Sequence, residues 1–236
     1  MVLLAALMAV SVGCGEDAQG DGASDGSVDD DDDAANNDDG SGEPDFEAPL
    51  VCSGTGDLFA THVLEVTYGP GQEFGRDAMP EVVLGPPLGG GCCEGSLDVV
   101  SLGNGGSITL AFADNAIVDA PGADFLVFEN PFEAGETVFA ELATVEVSAD
   151  GQQWHAFDCS ATEAPYGTCA GHHRVHLQDD EVTALDAEQH GGDPFDLADV
   201  GLDEARFVRI TDREDQVGFQ GTFDLDAIGI IHPACP

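Results

Sequence analysis

The sequence has no lysine. Its bases are five arginines, Arg76, Arg174, Arg206, Arg209 and Arg213, set against 47 acidic residues for a formal net charge of −42. A surface of that sign repels phosphodiesters and anionic headgroups, which argues against nucleic acid and against electrostatic docking on a membrane. Without lysine there is no P-loop. Within the part from residue 50 onward there is no G-x-S-x-G elbow, and nowhere is there an H-E-x-x-H helix or a C-x-x-C pair. Acyl-transfer, zinc-protease and paired-thiolate zinc chemistry therefore lack their usual residues. Trp occurs once and Tyr twice, too few for a cluster of exposed rings that stack on sugars. After residue 12 no stretch is long and apolar enough to cross a bilayer as a helix, which takes about 20 such residues.

Three textures follow one another along the chain. Val2 to Val12 is an apolar run of signal-peptide length, ending in Ser11-Val12-Gly13-Cys14. A cysteine after small residues resembles the bacterial lipobox, in which the signal (1–13) is removed and Cys14 receives lipid. An ordinary secretory signal with an incidental cysteine is the alternative. Gly15 follows Cys14 in place of the aspartate that resembles an inner-membrane retention signal, which favours the outer membrane. Residues 14–49 are rich in Asp, Gly, Ser and Ala, include the run Asp29 to Asp33, and hold Val28 and Phe46 as their large apolar residues. Such composition cannot offset the entropy of ordering, so a disordered acidic tether is expected.

From about Leu50 to Pro236, short β-rich runs alternate with Gly, Pro, Asn and Asp clusters. Strands are predicted near 62–68, 81–84, 97–101, 107–112, 125–129, 143–148, 154–158, 207–212 and 226–231, with a short helix near 182–188. Ser107–Phe112 and Thr144–Ser148 alternate polar with apolar, so one face of each is buried. Asp150-Gly151 ahead of Trp154 is a hairpin signal. The fold class expected is all-β, a single antiparallel β-sandwich.

Six cysteines remain once Cys14 is set aside, an even number that implies disulfides in an exported chain. Six cysteines allow fifteen pairings, among which sequence alone does not choose; Cys159 and Cys169 bracket a short loop and are the expected local pair. Cys52 and Cys235 lie at the domain's two ends, which are often close in space, and that bond would staple the fold. Cys92-Cys93 is left over; either it forms a strained adjacent bond or one of the two takes a terminal cysteine.

Leu84-Gly85-Pro86-Pro87, Ser101-Leu102-Gly103 with Gly105-Gly106-Ser107-Ile108, the segment Gly122 to Asn130, Phe195 to Gly201 and Phe223 to Ala227 resemble a family of bacterial secreted cell-surface proteins. That resemblance covers about Val51 to His232 and implies location more than activity. Val145 to Trp154 and Arg206 to Ile210 are also similar to discoidin-like, galactose-binding-like jelly rolls. This second resemblance implies a jelly-roll sandwich, a terminal Cys–Cys staple and Trp154 in the core.

Candidate ligands are mostly carboxylates. Asp114, Asp119 and Asp124 share one inter-strand loop with Asn115; Asp193 and Asp196 lie in a second loop with Asp199; Asp224 and Asp226 flank Leu225 and would share one side of a strand. Oxygen-rich loops at strand ends suit Ca²⁺, while Asp and Asn that cap turns are the structural alternative. His172-His173-x-x-His176 supplies two histidines on one face of a helix or strand, and reads as surface histidines beside a disulfide. The function expected is a non-catalytic, lipid-anchored surface module, stabilised by Ca²⁺, that contacts polysaccharide or protein. A structural envelope lipoprotein is the alternative, and a secreted hydrolase with two cleft carboxylates a further one.

Overall fold

The computed structural model describes residues 44–72, 74–87, 97–129, 132–134, 137–177, 182–214 and 221–236. The signal segment, Cys14, the Asp29–Asp33 run and Cys92-Cys93 lie outside the described residues. Thirteen strands occur among them: β1 (His62–Thr67), β2 (Val100–Ser101), β3 (Ser107–Ala111), β4 (Ile117–Val118), β5 (Phe125–Glu129), β6 (Phe132–Ala134), β7 (Thr137–Phe139), β8 (Ala143–Ser148), β9 (His155–Ala156), β10 (Asp193–Phe195), β11 (Glu204–Ala205), β12 (Phe207–Asp212) and β13 (Asp224–Ile230). A five-stranded sheet runs β1-β3-β12-β8-β9 and a four-stranded sheet runs β10-β5-β13-β2. All of their pairings are antiparallel.

Period-two alternation builds the inner face of the larger sheet. The register stacks Ile108, Ile210 and Val145 in one cross-strand row and Leu110, Val208 and Val147 in the next. All six side chains are buried in one cluster with Phe125, Val127, Ile228 and Ile230 of the smaller sheet. Each such burial contributes about 1.5–3 kcal/mol, so this interface holds the two layers together.

The smaller sheet is buried on both faces, which explains why β5 is an unbroken apolar run. Phe125 and Val127 face the main core, whereas Leu126 and Phe128 pack with Phe59, Leu177, Leu185 and Ala227 on the opposite side. Residues 175–177 and 182–187 thus cover the outer face of this sheet. The helix here is one turn, α1 (Ala187–His190), capped by the Asp186 side chain. It begins later than the sequence pattern predicts.

Two predicted features differ. Glu81–Val83 is a 3-10 turn, not a strand. Pro80 opens it and has no N–H for a ladder, and Val82 and Val83 are both buried, which a turn permits and an alternating strand does not. The register of β13 slips between Leu225 and Ala227. Asp226 is the extra residue of that bulge, so it does not repeat the orientation of Asp224 along a regular pleat.

The compact unit starts at Glu43, ahead of the Leu50 boundary read from composition. Phe46 packs against His62 and Phe207 with ring centroids 5.6 and 5.5 Å away. Arg206, which is buried, donates from Nη1 to the Ala48 carbonyl at 3.0 Å. Cys52–Cys235 and Cys159–Cys169 are both bonded, as their positions suggested. Disulfides persist in oxidising compartments, so the folded body belongs outside the cytoplasm. Among the described residues no helix is long and apolar enough to cross a membrane.

Candidate functional site

The short edge strand β10 carries a candidate ligand at each end. It pairs through Asp193↔Val127 and Phe195↔Phe125, with Pro194 at the outer edge, where a missing N–H is tolerated.

At the start of β10, Asp193 is 1% exposed. Its Oδ2 accepts the Gly171 N–H at 2.6 Å and its Oδ1 accepts the His173 N–H at 3.1 Å. His173 Nδ1 also lies 2.7 Å from Oδ1, and His172 Nε2 lies 3.4 Å from it. Gly171 makes this convergence possible. Its φ of +94° turns the chain, and a Cβ there would sit 1.9 Å from the Glu141 carbonyl oxygen. The two adjacent rings consequently fold onto one carboxylate, with centroids 4.1 Å apart. Burial pushes the His172 imidazole below its ordinary pKa, while the hydrogen bond to Asp193 pushes His173 above. His176 is not in this group; its backbone N–H donates to the His190 carbonyl. The pairing predicted for a regular strand, His172 with His176, is replaced by His172 with His173.

At the far end, one carboxylate oxygen each from Asp119, Asp124 and Asp196 lies within 4.8 Å of the others. Asp124 is fully buried and tied into the fold. It accepts from the N–H groups of Ala120 (2.9 Å) and Leu197 (2.7 Å), and His232 Nδ1 lies 2.8 Å away. Asp196 caps the 3-10 turn Leu197–Val200 by accepting the Ala198 N–H at 2.9 Å. Asp119 is exposed. Its carboxyl is raised by desolvation first, then by Asp124, Asp196 and Asp203, with His232 opposing. Three oxygens from two loops can take a hard cation, which would relieve that mutual repulsion.

The other acids go elsewhere. Asp114 accepts the Asp57 N–H at 3.3 Å, near the domain ends. Asp226 is buried within the β13 bulge. Asp224 lies close to Glu141 and Asp212, two acids the sequence reading did not single out. Burial, then the Asp224 charge, pushes the Glu141 carboxyl up to about 7, against the Gly221 N–H that Glu141 accepts at 2.9 Å. Asp212 accepts from Phe223 N–H at 2.7 Å and Gly105 N–H at 2.9 Å. Its parity with Val208 and Ile210 was the available signal of an inward-facing acid.

No protein-family model matches this chain, and no curated protein matches it. Two further features bear on binding. Trp154 is half-buried outside the core, with the Arg209 guanidinium 4.1 Å from its ring centroid and Glu146 Oε2 2.7 Å from Arg209 Nε. The core position implied by the jelly-roll resemblance is thus replaced by a stack on the outer face of the five-stranded sheet. A cavity of about 880 Å³ near the domain ends is walled by Leu58, Phe59, Leu84, Pro86, Val182 and Ile231, with Asp57 as an acidic lining residue. Its walls are mainly apolar, unlike the paired-carboxylate cleft a glycoside hydrolase uses.

Proposed function

We propose that this protein is a non-catalytic surface module: an exported lipoprotein anchored through Cys14 at the outer membrane, with a jelly-roll, galactose-binding-like domain. Its Asp119–Asp124–Asp196 rim binds Ca²⁺ and presents the loops there to carbohydrate or protein. The convergence of three carboxylate oxygens from two separate loops, the one between β4 and β5 and the one after β10, carries this reading. The two disulfides and the packed antiparallel sheets support the exported setting and the rigid scaffold.

The test is thermal unfolding of the protein with Ca²⁺ and with chelator. At tenfold the dissociation constant, a bound ion adds about 1.4 kcal/mol, or about 3–6 °C in Tm for a domain of this size. The shift should vanish in Asp119→Asn/Asp196→Asn. An unchanged Tm removes the ion from the reading. A glycan array probed in Ca²⁺ tests the ligand, and labelled palmitate lost in Cys14→Ser tests the anchor.

A second reading is favoured by the filled acceptors of Asp124 and the turn cap of Asp196. These acids already serve the fold, as in a structural envelope lipoprotein without a ligand. Silence on the array together with an unchanged Tm selects it.

A further inference from the structure

We propose that His172, His173 and Asp193 form a binding site for a borderline transition-metal dication, Zn²⁺ foremost. The donors already converge: one ligand atom from each residue lies within 4.8 Å of the other two. Two imidazole nitrogens with one carboxylate oxygen favour Zn²⁺, Ni²⁺ or Cu²⁺ over Ca²⁺ and Mg²⁺, which prefer oxygen throughout. This chemistry is independent of the acidic rim at the other end of β10.

Residues around the three hold them in place. The Gly171 N–H at 2.6 Å fixes Asp193 through Oδ2, the oxygen turned away from His173 Nδ1. The loop is tethered by the Cys159–Cys169 bond and by the Ala143–Ala170 bridge. Asp193 (1% exposed) and His172 (12%) form the inner wall, and His173 (52%) the solvent side. An ion therefore enters from solvent and keeps a position for water or an outside donor, as three-ligand zinc sites do.

Binding exchanges a proton for a metal. The proton between His173 Nδ1 and Asp193 Oδ1 leaves to solvent, and the neutral His173 ring keeps its one proton on Nε2. Lone pairs on those two atoms and on His172 Nε2 form three coordinate bonds, and water completes the tetrahedron. The Gly171 bond to Oδ2 is not disturbed.

The experiment is equilibrium dialysis of the protein against Zn²⁺, with Ca²⁺ in large excess to occupy the carboxylate clusters. A parallel titration follows the visible bands of Co²⁺. About one equivalent of Zn²⁺ is expected, with a Co²⁺ spectrum of nitrogen–oxygen type. His173→Ala, at a half-exposed position that leaves the core intact, should weaken binding by at least about tenfold, the lower end for losing even an outer-shell partner. His172→Ala/His173→Ala should abolish it, and His176→Ala should leave it unchanged. Circular dichroism checks that each variant folds. Equal affinity in the double variant overturns the proposal, as does displacement of Zn²⁺ by Ca²⁺. A near-ultraviolet thiolate band overturns it as well, by placing the metal on cysteine.

Discussion

Asn115 bonds Cys235 at both of its backbone groups: the Cys235 N–H donates to Asn115 Oδ1 at 3.0 Å, and Asn115 Nδ2 donates to the Cys235 carbonyl at 3.4 Å. The same amide reaches the Asp57 carbonyl at 3.0 Å and the Ala116 N–H at 2.9 Å. The Gly56 N–H also donates to the Cys235 carbonyl, at 3.0 Å. One fully buried side chain thus joins the two ends of the domain beside the Cys52–Cys235 bond, which closes a separation of 183 residues.

Asn115→Ala should therefore be among the costlier single substitutions in the protein. It leaves buried backbone groups on two segments without partners, at about 1–3 kcal/mol for each group that water cannot reach. A total loss of about 2–4 kcal/mol is expected in urea unfolding with the disulfides intact. A loss below about 0.5 kcal/mol would mean that the disulfide alone sets the geometry of the ends.

The raised carboxyl of Glu141 gives a second expectation, in which the sign matters. Its folded-state pKa, about 7, lies above the ordinary value of 4.5, so between these the folded protein holds a proton that the unfolded chain has lost. Stability from this group is full below about pH 4.5 and falls as pH rises through about 7. Burial also raises Asp212 and Asp224, which lie beside it, so they push in the same direction. Glu141→Gln keeps an acceptor for the Gly221 N–H and removes the charge. The variant should gain on the parent as pH rises, by on the order of 1–2 kcal/mol once solvent screening is allowed for. Unfolding free energies at about pH 5 and about pH 8 check this. Parallel pH curves for the two proteins would refute the assignment.

Where one face is buried and the strand is regular, local pattern suffices to place it. Ser107–Ala111, Ala143–Ser148 and Phe207–Asp212 alternate and are strands, and the Phe125–Phe128 run is buried on both sides. The failures have local causes that require the third dimension. No strand is predicted at Asp193–Phe195, yet β10 forms there, as an edge strand where Pro194 is tolerated. Asp226 is displaced by a bulge that no alternation announces. His172 and His173 should diverge on a strand, and they meet because Gly171 turns the backbone. The seven acids picked as one oxygen-rich set divide among separate places. The contacts of Asp193 with residues 171–173 and of Asp124 with Leu197 and His232 span about 20 to 108 residues in sequence, and composition cannot say which loops face one another.

Arg209 and Trp154 yield the last expectation. The guanidinium lies 4.1 Å from the indole centroid and bonds Glu146 Oε2 at 2.7 Å, across the register pair Arg209↔Glu146. Both partners are partly exposed, so the stack contributes about 0.5–1 kcal/mol and the ion pair about 0.2–1 kcal/mol. Arg209→Ala should cost about 1–2 kcal/mol, since both contacts end together. Arg209→Lys should cost less, because it keeps the charge while losing the planar stack. Trp154 is the single tryptophan of the chain, which makes its fluorescence an unmixed reporter. Removing the guanidinium uncovers one indole face to water, so emission should shift to the red in Arg209→Ala. The position of a sugar on this ring follows from the same geometry. A saccharide stacking on Trp154 must displace Arg209 or use the opposite face, so Arg209→Ala would strengthen, not weaken, any binding on the covered side. Emission that stays put in the variant would show that the guanidinium does not shield the indole in solution.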